Sequence, residues 1–254
     1  MEVTPFKLEI LKPPKDDLLS KIKASTLTLE EHDCIAVSSK VVSIWQGRCV
    51  PREKEGKEEL IKKEADWYLD EPEELSLGET STGKPMRYGV IHTIKDGILI
   101  PNAGIDPFGG HYVLWPEKPK ETAEELLKWF KKEYNREHLY LVIVDSRSVL
   151  MRQGAVGIAL SWAGFNPLYD NRKRKDLLGF DSGGTQTNLP DSIAAAAALA
   201  MGEANEQTPV ARIRGVQYLS NPKPSPDNFE ISIEEDLFAP FLKNQNWRKG
   251  GARS

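Results

Sequence analysis

His138 to Gly164 reads HLYLVIVDSRSVLMRQGAVGIALSWAG. Its first part, His138 to Val144, is an uninterrupted apolar run, the pattern of a strand buried on both faces. Asp145 is expected to end that strand. Gly154 to Gly164 (GAVGIALSWAG) reads as a second buried strand, with small residues where another backbone can approach closely. Upstream, Thr122 to Tyr134 has helical spacing, with Leu126, Trp129 and Phe130 on one face and Thr122 and Glu125 spaced as a capping box. Downstream, Pro190 to Glu203 is an alanine-rich helix, followed by a strand from Thr208 to Arg214.

Further out, Asp16 to Ser25 reads as a short helix. Cys34 to Val42 reads as a buried strand that delivers Ser38, Ser39 and Lys40 to an edge. Lys57 to Leu69 looks helical. Tyr88 to Thr93 and Ile98 to Ile100 flank Lys95-Asp96-Gly97, and Asp-Gly between apolar runs signals a hairpin. Pro101 to Asp106 then leads away from the second strand. Loose alternation of helices and strands around a central hairpin favours an α+β fold with mixed sheets over an all-parallel one. The division expected is a catalytic domain over residues 1–219 and a C-terminal extension over 220–254 that packs on it. Ser220 to Asp227 is expected to be a loop, and the last residues to be mobile.

Composition narrows the function classes. Thirty-four basic against 38 acidic side chains leave a net charge of −4, so nothing advertises a nucleic-acid partner. The one basic run, Arg172 to Lys175, reads first as a solvated loop and second as a loop facing phosphates or carboxylates. Cys34 and Cys49 have no metal-ligand spacing and suit a reducing compartment. The N-terminal residues lack a signal-peptide core, and the longest run of small or apolar residues, Ile193 to Met201, is far short of a bilayer span. A cytoplasmic protein without membrane attachment is therefore expected.

No Walker A loop, dinucleotide fingerprint, zincin motif or serine elbow occurs. With four histidines, a His-centred mechanism has little material. The chemistry-bearing residues that remain are acids after apolar runs. Asp106 closes N-A-G-I-D, and Asp145 follows the central strand with the hydroxyl of Ser146 beside it. Carboxylates, a hydroxyl and water suit a hard divalent cation, which commonly arrives with a phosphate substrate. The alternative is ordinary turn chemistry for each Asp. Arg152 could grip a phosphate or carboxylate, or form a surface ion pair. Lys40 could neutralise a phosphate or be solvated. Gly202 would help end the alanine helix before Glu203, and Asp191 would contribute to its N-terminal cap.

Five blocks, in order, resemble the F420-0:γ-glutamyl ligase family. They are Asp33 to Arg48 (DCIAVSSKVVSIWQGR), Asp96 to Asp106 (DGILIPNAGID), Leu141 to Gly164, Pro167 to Gly179 (PLYDNRKRKDLLG) and Asp191 to Gly215 (DSIAAAAALAMGEANEQTPVARIRG). The resemblance implies a ligase-like α+β fold forming an intertwined homodimer. It implies an enzyme that uses GTP or ATP with Mg2+ or Mn2+, and K+ as a further candidate ion. The reaction joins L-glutamate to an acceptor carboxylate through an acyl phosphate, once or in succession as polyglutamylation. Asp106 and Asp145 match the family's metal aspartates, Ser146 its metal-linked threonine, and Ser39 a nucleotide-contacting position beside Lys40. Gly202 and Glu203 match the segment near the nucleotide and second metal. Asp106, Asp145 and Arg152 are the residues to which catalysis is assigned.

The chain also departs from the family. Pro107-Phe108-Gly109 stands where x-S-N usually follows the metal aspartate, and Ile44 stands where a second lysine is usual. Both departures fall on nucleotide-base and acceptor recognition. They motivate the expectation of a divergent branch whose acceptor is a folate-like molecule or an oligoglutamate in place of the family's F420-0. The competing classes are a non-catalytic nucleotide- and metal-binding homologue and an NTP hydrolase.

Overall fold

The computed structural model describes residues 1–70, 73–79, 85–172, 174–181, 184–220 and 227–251, with 73–79 and 85–88 described by backbone alone. The readings placed on residues 221–226 and 252–254, and on Lys173, lie outside the described residues. The rest forms several sheets and helices of mixed type, the α+β architecture expected. The chain groups into two compact units. One comprises Met1–Gly47 and Pro116–Phe229, the other Arg48–Trp115 and Glu230–Ser254.

The first unit is built on five strands: β1 (Glu2–Phe6), β2 (Cys34–Ser38), β3 (Tyr140–Ser148), β4 (Ala155–Ala163) and β5 (Val210–Arg214). Their order across the sheet is β1-β5-β2-β3-β4. Only β2 and β3 run parallel, with Tyr140 beside Cys34 and Val144 beside Ser38. The other neighbours are antiparallel. Helices α1 (Leu18–Lys23), α2 (Ser39–Gln46), α3 (Pro119–Tyr134) and α4 (Leu189–Met201) accompany the sheet. Side chains alternate between faces along a strand. Cys34, Ala36, Val142, Val144, Ala159, Ala211 and Ile213 form one buried cluster with Ile193, Ala194, Ala197, Ala198 and Met201 of α4. The alternate set, Ile35, Val37, Leu141 and Ile143, is also fully buried. It faces the side covered by α2 and α3, which contact β2, β3 and β4. A sheet covered on both faces explains why His138 to Val144 carries no polar residue between His138 and Asp145.

Four sequence expectations need correction here. Lys57 to Leu69 is helical only over Lys57–Glu64, because Trp67–Tyr68 pairs as a strand. The Cys34 to Val42 run is not all strand. It turns after Ser38 into α2, whose Val41, Val42 and Ile44 are buried at helical spacing. Asp145 does not end its strand: β3 continues to Ser148 because β4 pairs with it that far, Ser148 against Ala155. Thr122 and Glu125 do not cap a helix start. The helix begins at Pro119, where a first-turn proline costs no hydrogen bond. Thr122 is buried inside it, its Oγ1 donating to the Glu117 carbonyl at 2.9 Å.

The expected close approach in β4 occurs at Gly157. A Cβ there would lie 2.6 Å from the Ala198 Cβ and 2.8 Å from the Ala194 carbonyl carbon, with the Ala194 oxygen nearer still. The alanine-rich face of α4 and the glycine of β4 are therefore one feature, helix backbone laid directly on strand backbone.

The second unit packs Leu60, Ile61, Ala65, Ile91, Ala103, Ile105 and Leu114 into its own core. Trp67–Tyr68, His92–Lys95, Ile98–Pro101 and Arg248–Lys249 form a four-stranded sheet, with Arg248–Lys249 at one edge against Trp67–Tyr68. The Asp-Gly hairpin is present, with Asp96 and Gly97 both at positive φ (47° and 73°), the left-handed pair that suits a two-residue turn. Gly250 lies on the Ala65 carbonyl, and its amide donates to the Asp66 carbonyl at 2.9 Å. No helix among the described residues is long and apolar enough to cross a membrane.

Candidate functional site

One end of the five-stranded sheet gathers most of the residues singled out in the sequence. β2 reaches Ser38, whose amide donates to the Pro209 carbonyl at 2.9 Å just before β5 begins. The chain then enters α2 at Ser39 and Lys40. The first turn of α2 contains no acidic residue, and the Ser38 side chain makes no cap bond. That helix end presents backbone amides and the positive end of the helix dipole, with Lys40 adding a cation. Ser39 is buried and Lys40 half-buried. In the neighbouring parallel strand, Val144 pairs with Ser38, so Asp145 is the first residue of β3 beyond the end of β2. Strand spacing puts the two backbones about 4.8 Å apart there.

Asp145 and Ser146 are successive strand residues, so their side chains leave opposite faces. Asp145 shares its face with Ile143, towards α2. Its Oδ1 accepts the Ser146 amide at 2.8 Å, which fixes the carboxylate at the strand edge. Ser146 shares its face with Val144, towards α4, and pairs with Gly157, on which Ala194 and Ala198 rest. One helical turn beyond Ala198, α4 ends at Gly202, whose amide donates to the Ala198 carbonyl at 2.9 Å. Glu203 follows and is exposed. The Met201 carbonyl accepts the Thr208 hydroxyl at 2.6 Å, tying the helix end to the segment that leads into β5. The first unit thus brings Ser39, Lys40, Asp145, Ser146, Gly202 and Glu203 to one sheet end, split between its two faces.

Arg152 is placed elsewhere. Three residue pairs of β3–β4 ladder continue beyond Asp145–Ile158, and Arg152 lies in the turn after them. It is exposed, and its Nη1 donates to the Met151 carbonyl at 3.2 Å.

Asp106 belongs to the second unit, where it opens a short strand, Asp106–Phe108, with its backbone opposite Val113. Asn102, Ala103 and Gly104 precede it at φ values of 56°, 50° and 66°. A run of left-handed residues is costly outside glycine, and specific contacts hold it. The buried Asn102 side chain accepts the Ile91 amide at 2.9 Å and donates to the Gly89 carbonyl at 3.2 Å. Buried Thr93 accepts the Ala103 amide at 2.8 Å and donates to the Ile100 carbonyl. At Gly104 a Cβ would meet the Trp115 ring at 2.6 Å. Asp106 is therefore delivered by a rigid turn. Sequence reasoning picked out the turn but missed Asn102 and Thr93; for Asn102 the available signal was an asparagine two residues before Gly104. The departure at Gly109 lies at φ 54°, a left-handed conformation that asparagine also tolerates. Ile44 is a core residue, 1% exposed.

Asp191 does more than cap. Asn188 is the N-cap residue of α4, its Oδ1 accepting the Asp191 amide at 3.1 Å. The Asp191 carboxylate accepts the Asn188 side-chain amide at 2.6 Å and, across to the sheet, the Ala159 amide at 3.0 Å.

Asp145 on one face, and Ser146 and Glu203 on the other, offer only oxygen donors, a type that fits a hard divalent cation better than a soft one. Among the described residues, no group of three His, Cys, Asp or Glu side chains suffices to hold a metal ion.

A family model described as F420-0:Gamma-glutamyl ligase matches residues 7–215. The match places this α+β chain among ligase folds. The chain belongs to the F420-0:γ-glutamyl ligase family. Among its relatives, a protein of Methanocaldococcus jannaschii named coenzyme F420:L-glutamate ligase is 32% identical over 228 residues, covering 85% of this chain and 88% of the relative. Proteins of the same name from Methanothermobacter thermautotrophicus and Methanopyrus kandleri are 31% and 29% identical. They cover 78% and 91% of this chain, and 81% and 90% of their own lengths.

Proposed function

We propose that this chain is a glutamate ligase that consumes a nucleoside triphosphate with a divalent metal and forms an amide between L-glutamate and an acceptor carboxylate. The observation that carries the reading is the juxtaposition at one sheet end of the α2 N-terminus, with Ser39 and Lys40, and Asp145 on the adjacent parallel strand. A helix N-terminus beside a lysine suits phosphate oxygens, and a neighbouring carboxylate suits the cation that accompanies them.

A carboxylate resists amine attack because oxide is a poor leaving group. Transfer of the γ-phosphoryl group to the acceptor carboxylate makes an acyl phosphate and releases the nucleoside diphosphate. The glutamate amine then bonds to the acyl carbon, loses a proton, and phosphate departs. Ser39, Lys40 and the α2 amides hold the phosphates, and the space beside Gly202 is taken by the Glu206 side chain. In the first unit Asp145 would hold a cation on the α2 side, while Ser146 and Glu203 would offer oxygens on the α4 side. Asp106, in the second unit, matches the family's other metal aspartate. A bound cation would supply charge neutralisation on the transferring phosphoryl group. A carboxylate, waters and substrate phosphates suit Mg2+ or Mn2+.

The acceptor is proposed to be of the F420-0 type or a carboxylate related to it, folate-like or oligoglutamate. Gly109 removes one polar side chain from recognition, whereas Ile44 is buried in the core and faces no ligand. Homodimer formation is part of the same proposal. The β3–β4 turn, where Leu150 and Met151 are 59% and 94% exposed, is a surface a second copy would cover.

The test is incubation of purified protein with L-glutamate, GTP or ATP, Mn2+ or Mg2+ and each acceptor, read by mass spectrometry for glutamate additions. Asp145→Asn is expected to abolish product. Absence of glutamate-dependent phosphate release in every combination refutes the ligase reading. Release that ignores glutamate identifies a hydrolase, and nucleotide binding without turnover identifies a binding protein.

A further inference from the structure

Resting on the proposed ligase chemistry, we infer that Asp191 is a positioning residue that sets, through a bulge in β4, which β4 residues lie beside Asp145 and Ser146 and so whether α4 can seat against Ser146. The β3–β4 ladder slips by one residue in its middle. Ile143 pairs with Ser161, but Val144 pairs with Ala159, so Leu160 has no partner across the ladder. An extra residue in one strand inverts the facing of everything beyond it. Without the slip, Ala159 would lie opposite Asp145 and Ile158 opposite Ser146. Ile158 would then point at α4, where Gly157 now lies against Ala194 and Ala198 with no room even for a methyl group. With the slip, Ile158 pairs with Asp145 on the α2 side and Gly157 with Ser146 on the α4 side.

The contact that fixes the slip is the Asp191 carboxylate, which accepts the Ala159 amide at the bulge itself. The same carboxylate is locked by Asn188, and the pair opens α4. A single half-buried acid at the start of α4 therefore selects the strand register. That register decides whether α4 can seat, and so where Gly202 and Glu203 fall relative to Ser146. Helix capping alone would not require the bond to Ala159.

The experiment uses the full chain with Mn2+ and GDP as the probe, read by titration of free Mn2+ with electron paramagnetic resonance, and amide hydrogen exchange as a readout independent of the metal. Asp191→Ala is expected to speed exchange at Ala159 and Leu160 at least about tenfold and to weaken Mn2+ binding on the order of tenfold, as loss of an outer-shell partner does. Ala195→Gly weakens α4 without touching the bulge. It is expected to lower Tm comparably and to change neither readout. The exchanged pair Asn188→Asp with Asp191→Asn reverses donor and acceptor in the side-chain bond between positions 188 and 191, keeps an amide oxygen at 191 to accept the Ala159 N–H, and is expected to restore both readouts. If Asp191→Ala resembles Ala195→Gly in both, Asp191 is only a helix cap and the inference falls. If Asp145→Asn weakens Mn2+ binding while Asp191→Ala does not, the positioning role falls and the metal reading stands. If Asp145→Asn leaves Mn2+ binding unchanged, the metal reading itself falls, and the positioning role with it.

Discussion

Replacing Gly157 by alanine tests the packing on which the site end of the sheet depends. The added methyl would lie 2.6 Å from the Ala198 Cβ and 2.8 Å from the Ala194 carbonyl carbon. Ordinary contact begins near 3.4 Å, so α4 must retreat by about 1 Å or β4 must bend away. Overpacking costs about 1–3 kcal/mol where side chains can adjust. Here the obstacle is helix backbone, which places the expected loss near the top of that range. For a chain of this size, about 3 kcal/mol lowers Tm by roughly 6–12 °C. Thermal melts followed by circular dichroism measure it directly. Adding Ala198→Gly removes one of the two obstacles and leaves the Ala194 carbonyl. A double-mutant cycle should therefore show a favourable coupling of about 1 kcal/mol with only partial recovery. A Gly157→Ala protein that melts within about 1 °C of the parent would refute the close approach and the register argument that uses it.

Asn102→Ala leaves the Ile91 amide without its acceptor and puts alanine in a left-handed position, an expected loss of about 2–4 kcal/mol. Limited proteolysis should show earlier cleavage within residues 48–115. Burial pushes the Cys34 thiol far above its usual range, and burial also raises Cys49. Native protein should react slowly with a thiol reagent at pH 8, with Cys34 titrating only after denaturation. The Glu31 carboxyl is held below its usual value, first by the His138 amide and then by the Glu137 amide. A depressed folded value means stabilisation that is complete above the unfolded value and lost as pH falls through the folded one. Glu31→Gln should therefore melt below the parent at neutral pH, with the gap closing as pH drops below about 4.5.

Much of the first unit's sheet was legible because its signals are local. The apolar run at His138 and the small residues around Gly157 report burial and close approach whatever surrounds them. The Asp-Gly hairpin was equally plain, since its turn needs two left-handed residues. Element ends were harder. Ser38 looks like a strand residue until the buried spacing of Val41, Val42 and Ile44 shows a helix, and that spacing resembles a strand continuation in a short window. Asp145 looked terminal because polarity rises there, yet partner pairing from β4 carries the strand on. The site residues were legible as candidates through Asp106 and Asp145. Their settings were not, because Asn102, Thr93 and Asp191 act on residues distant in sequence. No spacing rule announces that Asp191 will take the amide of Ala159.

The second unit's sheet is finished by a stretch of chain remote in sequence. Trp67–Tyr68 receives its neighbour Arg248–Lys249 about 180 residues later. At a synthesis rate of about 5–20 residues per second, Trp67–Tyr68 waits roughly 10–40 s with an unpaired edge. An open edge is the sort of surface that pairs wrongly with a neighbouring chain. Completion of this unit thus waits on a strand made long after its neighbour, and a chain cut before Arg248 would leave every copy permanently at that earlier moment.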